Sequence, residues 1–287
     1  MRQRVITGIA FVVGVALFVL PSIRFPIFML LFSIIVGSFC FYEMTKALRA
    51  GEMKPMISLM ALGAVAAVDI LIIAYWRGLE LTTALASYLL VVVMIAFASI
   101  VIPSVVRPDG NHLLDGLVTA ATILYITFPL FCLCAVAMLA ENGWYYMVPA
   151  LFAAWISDTM AYFSGVTLGK HKIVPHISPK KTWEGCIGGA LGCALVVMLY
   201  FDIVIYNVCG IKMNLFVFSV LSFFLGFIMS VMSQLGDWLA SLIKRRVGIK
   251  DYGTIFPGHG GMIDRFDSAF FTIPTGVLLA MIVVFFT

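Results

Sequence analysis

Charge is scarce in this chain. Only 11% of its 287 residues are Asp, Glu, Lys or Arg, against 63% hydrophobic, and the mean hydropathy is +1.11. A water-soluble domain needs far more charge to cover its surface, so the soluble classes are excluded. Period-two alternation is missing as well: the apolar stretches run on without a break, which excludes a membrane β-barrel. The six cysteines (Cys40, Cys132, Cys134, Cys186, Cys193 and Cys209) lie in or at the ends of apolar stretches. None forms a C-x-x-C pair, so neither a zinc site nor a disulfide framework is expected. There is no Gly-rich Walker loop, no dinucleotide fingerprint and no low-complexity segment. The lack of an internal repeat weakens an inverted-repeat transporter. What remains is an all-α, polytopic integral membrane protein.

Windows of ~20 apolar residues predict about nine transmembrane helices, at 5–21, 25–42, 56–75, 81–102, 116–140, 144–168, 185–207, 215–240 and 266–286. The N-terminal MRQR and its apolar run lack a small-x-small cleavage site, and the run ends at Pro21-Ser22-Ile23-Arg24. It is expected to be a retained first span rather than a signal peptide. With the N-terminus cytoplasmic, 15 of the 18 Lys and Arg residues fall inside, leaving only Arg24, Arg77 and Lys212 outside; the opposite orientation breaks the positive-inside rule at nearly every loop. Short length and simple topology point to a bacterial plasma (inner) membrane. Two regions are expected: 1–143, a helical membrane region of five spans, and 144–287, a catalytic region of four spans with two cytoplasmic loops. In the first, 103–115 reads as a turn-rich loop whose Arg107, Asp109, His112 and Asp115 form a solvated face. Asp69 and Asp202 lie within spans, and a structural hydrogen bond to a neighbouring helix is the expectation for each.

The polar residues of the second region fall into three clusters. In the sixth span, Asp158 and Tyr162 share a helix face, and Gly165 and Gly169 suit close helix packing. An uncompensated membrane carboxylate is costly, which favours a functional Asp158 over a merely polar packing face. The second cluster runs from Gly169-Lys170-His171-Lys172 to Ser178-Pro179-Lys180-Lys181-Thr182-Trp183-Glu184-Gly185, lysines and hydroxyls ahead of a helix start. That is a setting for phosphate. The third opens at Gln234-Leu235-Gly236-Asp237. Asp237, Ser241 and Lys244 stand at i, i+4 and i+7, placing a carboxylate, a hydroxyl and a cation on one helical face. From Ser241 to Asp267 the chain holds eight charged side chains: Lys244, Arg245, Arg246, Lys250, Asp251, Asp264, Arg265 and Asp267. Pro257-Gly258-His259-Gly260-Gly261 lies among them, a turn that lets backbone approach a ligand closely. Asp237 and Asp264, on separate helices, suit a hard cation such as Mg²⁺. All three clusters emerge on the cytoplasmic side in the topology read from Lys and Arg alone.

Ser241-x-Ile243-Lys244-Arg245, then Lys250-Asp251-x-Gly253, then Pro257-x-His259-Gly260-Gly261-Met262-x-Asp264-Arg265-Phe266-Asp267 resembles the signature of the phosphatidate cytidylyltransferase (CDP-diacylglycerol synthase) family. Asp158-Thr159-x-Ala161-Tyr162, Gly169-Lys170-His171, the Ser178–Gly185 run and Gln234-x-Gly236-Asp237 resemble other parts of that family. The likeness covers about the C-terminal half; the first five spans are similar only in hydropathy.

The resemblance implies cytidylyl transfer from CTP to phosphatidate in phospholipid biosynthesis, giving CDP-diacylglycerol and pyrophosphate. It implies dependence on Mg²⁺ or a similar divalent cation, with a second cation possible, held at Asp237 and Asp264. Lys244, Arg245, Lys250 and Arg265 are implied to bind the triphosphate or the lipid phosphate, undivided between the two. Ser178, Lys180, Lys181 and Thr182 add phosphate contacts, Asp158 supports metal or nucleotide, and Ser241 and Asp251 join the substrate-binding set. His259 is left between binding phosphate and bracing its turn. The partners implied are CTP, phosphatidate and the bilayer, with no nucleic acid; a homodimer stays open. The rival readings are a CTP-dependent polyprenol kinase-like enzyme, a phospho-sugar transferase, and an ion-coupled transporter relaying through Asp69, Asp158 and Asp202.

Overall fold

The computed structural model describes residues 2–106, 112–174, 178 and 180–285. Apolar residues that cannot reach water form helices because a helix satisfies every backbone group within itself. The order is α1 (Arg2–Ser22), α2 (Ile27–Ala50), α3 (Ile57–Arg77), α4 (Leu81–Val106), α5 (His112–Leu139), α6 (Gly143–Leu168), α7 (Trp183–Tyr200), a π-helical turn (Phe201–Ile205), α8 (Tyr206–Val208), α9 (Leu215–Arg246), α10 (Ile263–Phe266) and α11 (Ala269–Phe285). No strand occurs among the described residues, only two isolated bridges, Lys172 with Thr182 and Phe256 with Gly260.

Six helices among the described residues are long and apolar enough to cross a membrane: Ile27–Ala50, Ile57–Arg77, Leu81–Val105, His112–Leu139, Trp183–Val208 and Leu215–Arg246. Ile6–Ser22 and Ala269–Ile282 are shorter apolar helices. The sixth expected span does form a continuous helix, but Ser157, Asp158, Thr159 and its N-terminal aromatics leave it less apolar than those six. The expected loop 103–115 is shorter than the sequence indicates. Helix α4 continues through Pro103 to Val106 and α5 starts at His112; Arg107 and Asp109 lie outside the described residues. Asp115 is half-exposed, and its Oδ1 accepts the Lys54 backbone N–H at 2.7 Å.

The chain divides into two compact units, Met1–Glu141 with Lys244–Arg265, and Asn142–Ile243 with Phe266–Thr287. The charged segment from Lys244 to Arg265 groups with the N-terminal helices rather than with its chain neighbours. In the first unit, α5 packs against α2, α3 and α4. Buried polar contacts pin it there: the Tyr88 and Thr127 hydroxyls lie 2.7 Å apart, and the Cys134 thiol donates to Ser33 Oγ at 3.0 Å. A cavity of about 950 Å³ opens between α2, α3 and α5, apolar for most of its length, with Lys46 and Arg49 at one end and Asp69 among its lining residues.

In the second unit α6 packs against α7 and α11. Gly188, Gly189 and Gly192 on α7 admit Ser164, Ala161 and Met160 of α6, so the two backbones approach closely, as small residues allow in membrane helices. The Ser157 and Ser230 hydroxyls join α6 to α9 at 2.5 Å, and Gln234 Nε2 donates to the Cys186 carbonyl on α7 at 3.0 Å. Asp202 accepts from Ser219 Oγ of α9 at 2.7 Å, the interhelical hydrogen bond expected of it. A Cβ on Gly276 of α11 would overlap the Ala150 side chain and stand 2.8 Å from the Ala150 Cα. Gly276→Leu should therefore cost on the order of 1–3 kcal/mol, read as a lower melting temperature of the detergent-solubilised protein. An unchanged melting temperature would show that α6 and α11 are not in register here.

Candidate active site

One acid ties the described residues after α6 to the start of α7. Glu184, in the first turn of α7, accepts the backbone N–H of Lys170 at 3.1 Å and of His171 at 3.2 Å, and pairs with His171 Nδ1 at 2.6 Å. Trp183 N donates to the His171 carbonyl at 2.9 Å, and Ile173 N to that of Lys181 at 3.2 Å. The loop thus returns on itself and delivers Lys181 to the start of α7. Thr182 is the N-cap, its hydroxyl accepting from Gly185 N at 3.2 Å. It is buried and packed beneath Gly165 of α6 and Gly169, the C-cap of that helix. The two glycines expected to admit a close neighbour do so, and that neighbour is the cap.

Lys181 forms an ion pair with Asp237 Oδ2, and its ammonium stands 5.6 Å from the centre of the Trp238 ring. Both partners are about a quarter exposed, 23% and 28%, so the pair can meet a solute. Two residues picked out from separate sequence clusters are therefore in contact. Lys180 is exposed and Ser178 half-buried on the same loop, while Asp158 is exposed on α6 and Ser241 half-buried on α9.

The first unit holds the second constellation. Lys244 Nζ donates to Asp264 Oδ1 at 2.8 Å, and Asp264 Oδ2 accepts from Tyr252 N and Gly261 N, each at 2.8 Å. The pair is more deeply set, at 14% and 6% side-chain exposure, with the Lys244 ammonium 5.5 Å from the Tyr252 ring centre. Gly258 and Gly260 take φ of +79° and +83°, left-handed conformations that favour glycine and turn the loop back toward Asp264. Arg245, Lys250 and Asp251 are exposed, while His259 and Arg265 are half-buried. Sequence reasoning passed over Glu43, on α2, whose carboxylate accepts the N–H groups of Met262 and Ile263 at 2.9 Å. The available signal was an acid within an apolar run.

Among the described residues no three His, Cys, Asp or Glu side chains form a ready metal cage. Mg²⁺ does not require one, since it takes one or two carboxylates and completes its shell with water and phosphate oxygens. Each of the two carboxylates, taken by itself, is of the kind that supplies one such ligand. Asp237 is partly exposed with one lysine on Oδ2, and Asp264 commits Oδ2 to backbone N–H groups and presents Oδ1 beside Lys244.

Residues 2–285 match the cytidylyltransferase family. The chain belongs to that family. Similar curated proteins are the phosphatidate cytidylyltransferases of Staphylococcus aureus (strain COL), 43% identical over 157 residues, and Staphylococcus haemolyticus (strain JCSC1435), 40% identical over 154. Each alignment takes in 50% of this chain and 56% of the relative, so the chain spans about half the length of the curated relatives it matches. The family match itself extends through both units, including the first five helices, where the signature motifs do not reach.

Removing one member of the Lys244–Asp264 pair leaves the other charge buried. Lys244→Met should destabilise the protein by roughly 3 kcal/mol, and Lys244→Met with Asp264→Asn should recover part of that loss. Thermal unfolding of the purified variants measures both; a double variant no more stable than the single one would contradict the coupling.

Proposed function

We propose that this protein transfers the cytidylyl group of CTP to phosphatidate, releasing pyrophosphate and forming CDP-diacylglycerol. The observation that carries the reading is the pair of Lys–Asp contacts, Lys181 with Asp237 and Lys244 with Asp264, in a chain of the cytidylyltransferase family. A lysine ammonium has three donors on a flexible stem, so it can hold a carboxylate and a phosphate oxygen together.

In the proposed reaction an oxygen of the phosphatidate phosphate attacks the α-phosphorus of CTP, and the bond from that phosphorus to the β-phosphate oxygen breaks in line. The attacking phosphate is already ionised near neutral pH, so no general base is needed. What the chain supplies is position and charge neutralisation. Lys244, Arg245, Lys250 and Arg265 bind the phosphates of the two substrates, with Ser178, Lys180, Lys181, Ser241 and His259 adding contacts. Thr182 acts through the α7 cap. Asp158 and Asp251 complete the substrate-binding set. Asp237 and Asp264 are the carboxylates that would hold Mg²⁺, which when bound neutralises charge on the phosphates.

The protein is read as an integral inner-membrane enzyme with nine spans, N-terminus and active site cytoplasmic. The six long apolar helices, together with α1, α6 and α11, support that count, and the Lys and Arg distribution supports the orientation. The apolar cavity of α2, α3 and α5, with Lys46 and Arg49 at one end, fits acyl chains below an anionic headgroup. A homodimer is compatible with this reading.

Membranes containing the protein should move label from α-³²P CTP, and not from γ-³²P CTP, into lipid when phosphatidate is supplied. Label from the γ position would instead establish a lipid kinase, and solute uptake without CTP a transporter. Asp237→Asn and Asp264→Asn should each lower turnover by roughly 100-fold or more, the scale of losing one electrostatic stabiliser. Near wild-type turnover in either variant would remove that residue from the site. Lys250→Ala should raise the apparent KM with membrane insertion unaffected.

A further inference from the structure

Glu43 lies on α2, more than 200 residues from the charged segment, and is 1% exposed. A carboxylate so enclosed persists only where donors surround it. Its two oxygens are matched one to one: Oε1 accepts Met262 N and Oε2 accepts Ile263 N, both at 2.9 Å. These N–H groups stand at the start of α10, where a helix has no partners of its own for them. Asp264 is the next residue along. Glu43 thus performs, from another helix, the work of a capping residue for the turn that carries Asp264.

The cradle around Glu43 is built from glycine. A Cβ on Gly253 or on Gly261 would overlap the Glu43 carboxylate, so the signature loop wraps the acid on two sides. Asp264 closes the same loop from within by accepting Tyr252 N and Gly261 N. Four backbone N–H groups between residues 252 and 263 are therefore divided between two acids. Apart from the single bridge of Phe256 with Gly260, the loop between α9 and α10 has no regular structure, and its shape depends on contacts of this kind.

We infer that Glu43 is a positioning residue for the transfer reaction: by fixing the N–H groups of Met262 and Ile263, its carboxylate sets where Asp264 and Lys244 stand. It touches no substrate in this role. The inference rests on the assignment of Asp264 and Lys244 to the site proposed above.

The test compares wild type with Glu43→Gln, which keeps the volume but opposes an amide N–H₂ to one backbone donor. Glu43→Asp keeps the charge but shortens the reach, and Gly253→Ala presses on the carboxylate without altering it. Backbone hydrogen exchange of the purified full-length protein is read by mass spectrometry, beside kcat and KM for CTP. In Glu43→Gln and Gly253→Ala, exchange over 252–264 should quicken roughly 10-fold or more, as expected for loss of a charge-assisted hydrogen bond, while α2 to α5 exchange as in wild type. The kcat should fall roughly 10- to 100-fold, with a smaller rise in KM for CTP through the displaced Lys244, because the larger loss falls on the reacting geometry. Glu43→Asp should recover part of kcat. Wild-type exchange over 252–264, quickened loop exchange with wild-type kcat, or faster exchange throughout α2 to α5 would each overturn the positioning role. A wild-type protein that moves no label from CTP to phosphatidate would instead defeat the proposed function, and the exchange data would still decide whether Glu43 holds the loop.

Discussion

Where this chain leaves the helix, its backbone N–H groups need acceptors, and those that nearby carbonyls do not supply come from side chains. Carboxylates meet the need. Asp115 holds Lys54 at the turn before α3, Glu184 holds Lys170 and His171, and Glu43 with Asp264 holds the turns from Tyr252 to Ile263. Where the acid is buried, as Glu43 and the Asp264 side chain are, its charge is tolerated only when its lone pairs are satisfied. Loop and acid therefore stabilise each other.

The same constraint shapes the two lysine–aspartate pairs. Lys181 and Lys244 each lie against an aspartate and an aromatic ring, Trp238 and Tyr252 respectively. The carboxylate neutralises the ammonium, and the ring face offers a second, weaker attraction. A lysine held in this way is fixed in position yet keeps donors to spare, which suits the recognition of phosphate oxygens. The Lys181 pair is the more open of the two, while the Lys244 pair sits under the glycine turns of its loop.

Close packing sets the helices from which these loops spring. The glycines of α7 against α6, and Gly276 against Ala150, bring backbones together where larger residues would hold them apart. Hydroxyl and amide contacts such as Ser157 with Ser230, and Gln234 with the Cys186 carbonyl, join α9 to α6 and α7. Asp237 lies one turn beyond Gln234 on α9, so the contact that fixes the helix also fixes the carboxylate paired with Lys181.

Hydropathy alone determined that the chain is helical and where most helices run, because burying backbone in an apolar setting leaves few alternatives. Local spacing also marked Lys181, Asp237, Lys244 and Asp264, since cations and carboxylates crowded between apolar runs have few structural uses. It missed the helical extension through Pro103, where continuing the helix prevailed over a local turn signal. Glu43 was invisible for a different reason. Its partners are backbone N–H groups some 220 residues away, and a backbone donor has no letter in a sequence. Which lysine meets which aspartate, and that Lys244–Arg265 packs with the N-terminal helices, were settled only when the chain closed on itself, because such pairings depend on three-dimensional proximity that spacing along the chain does not encode.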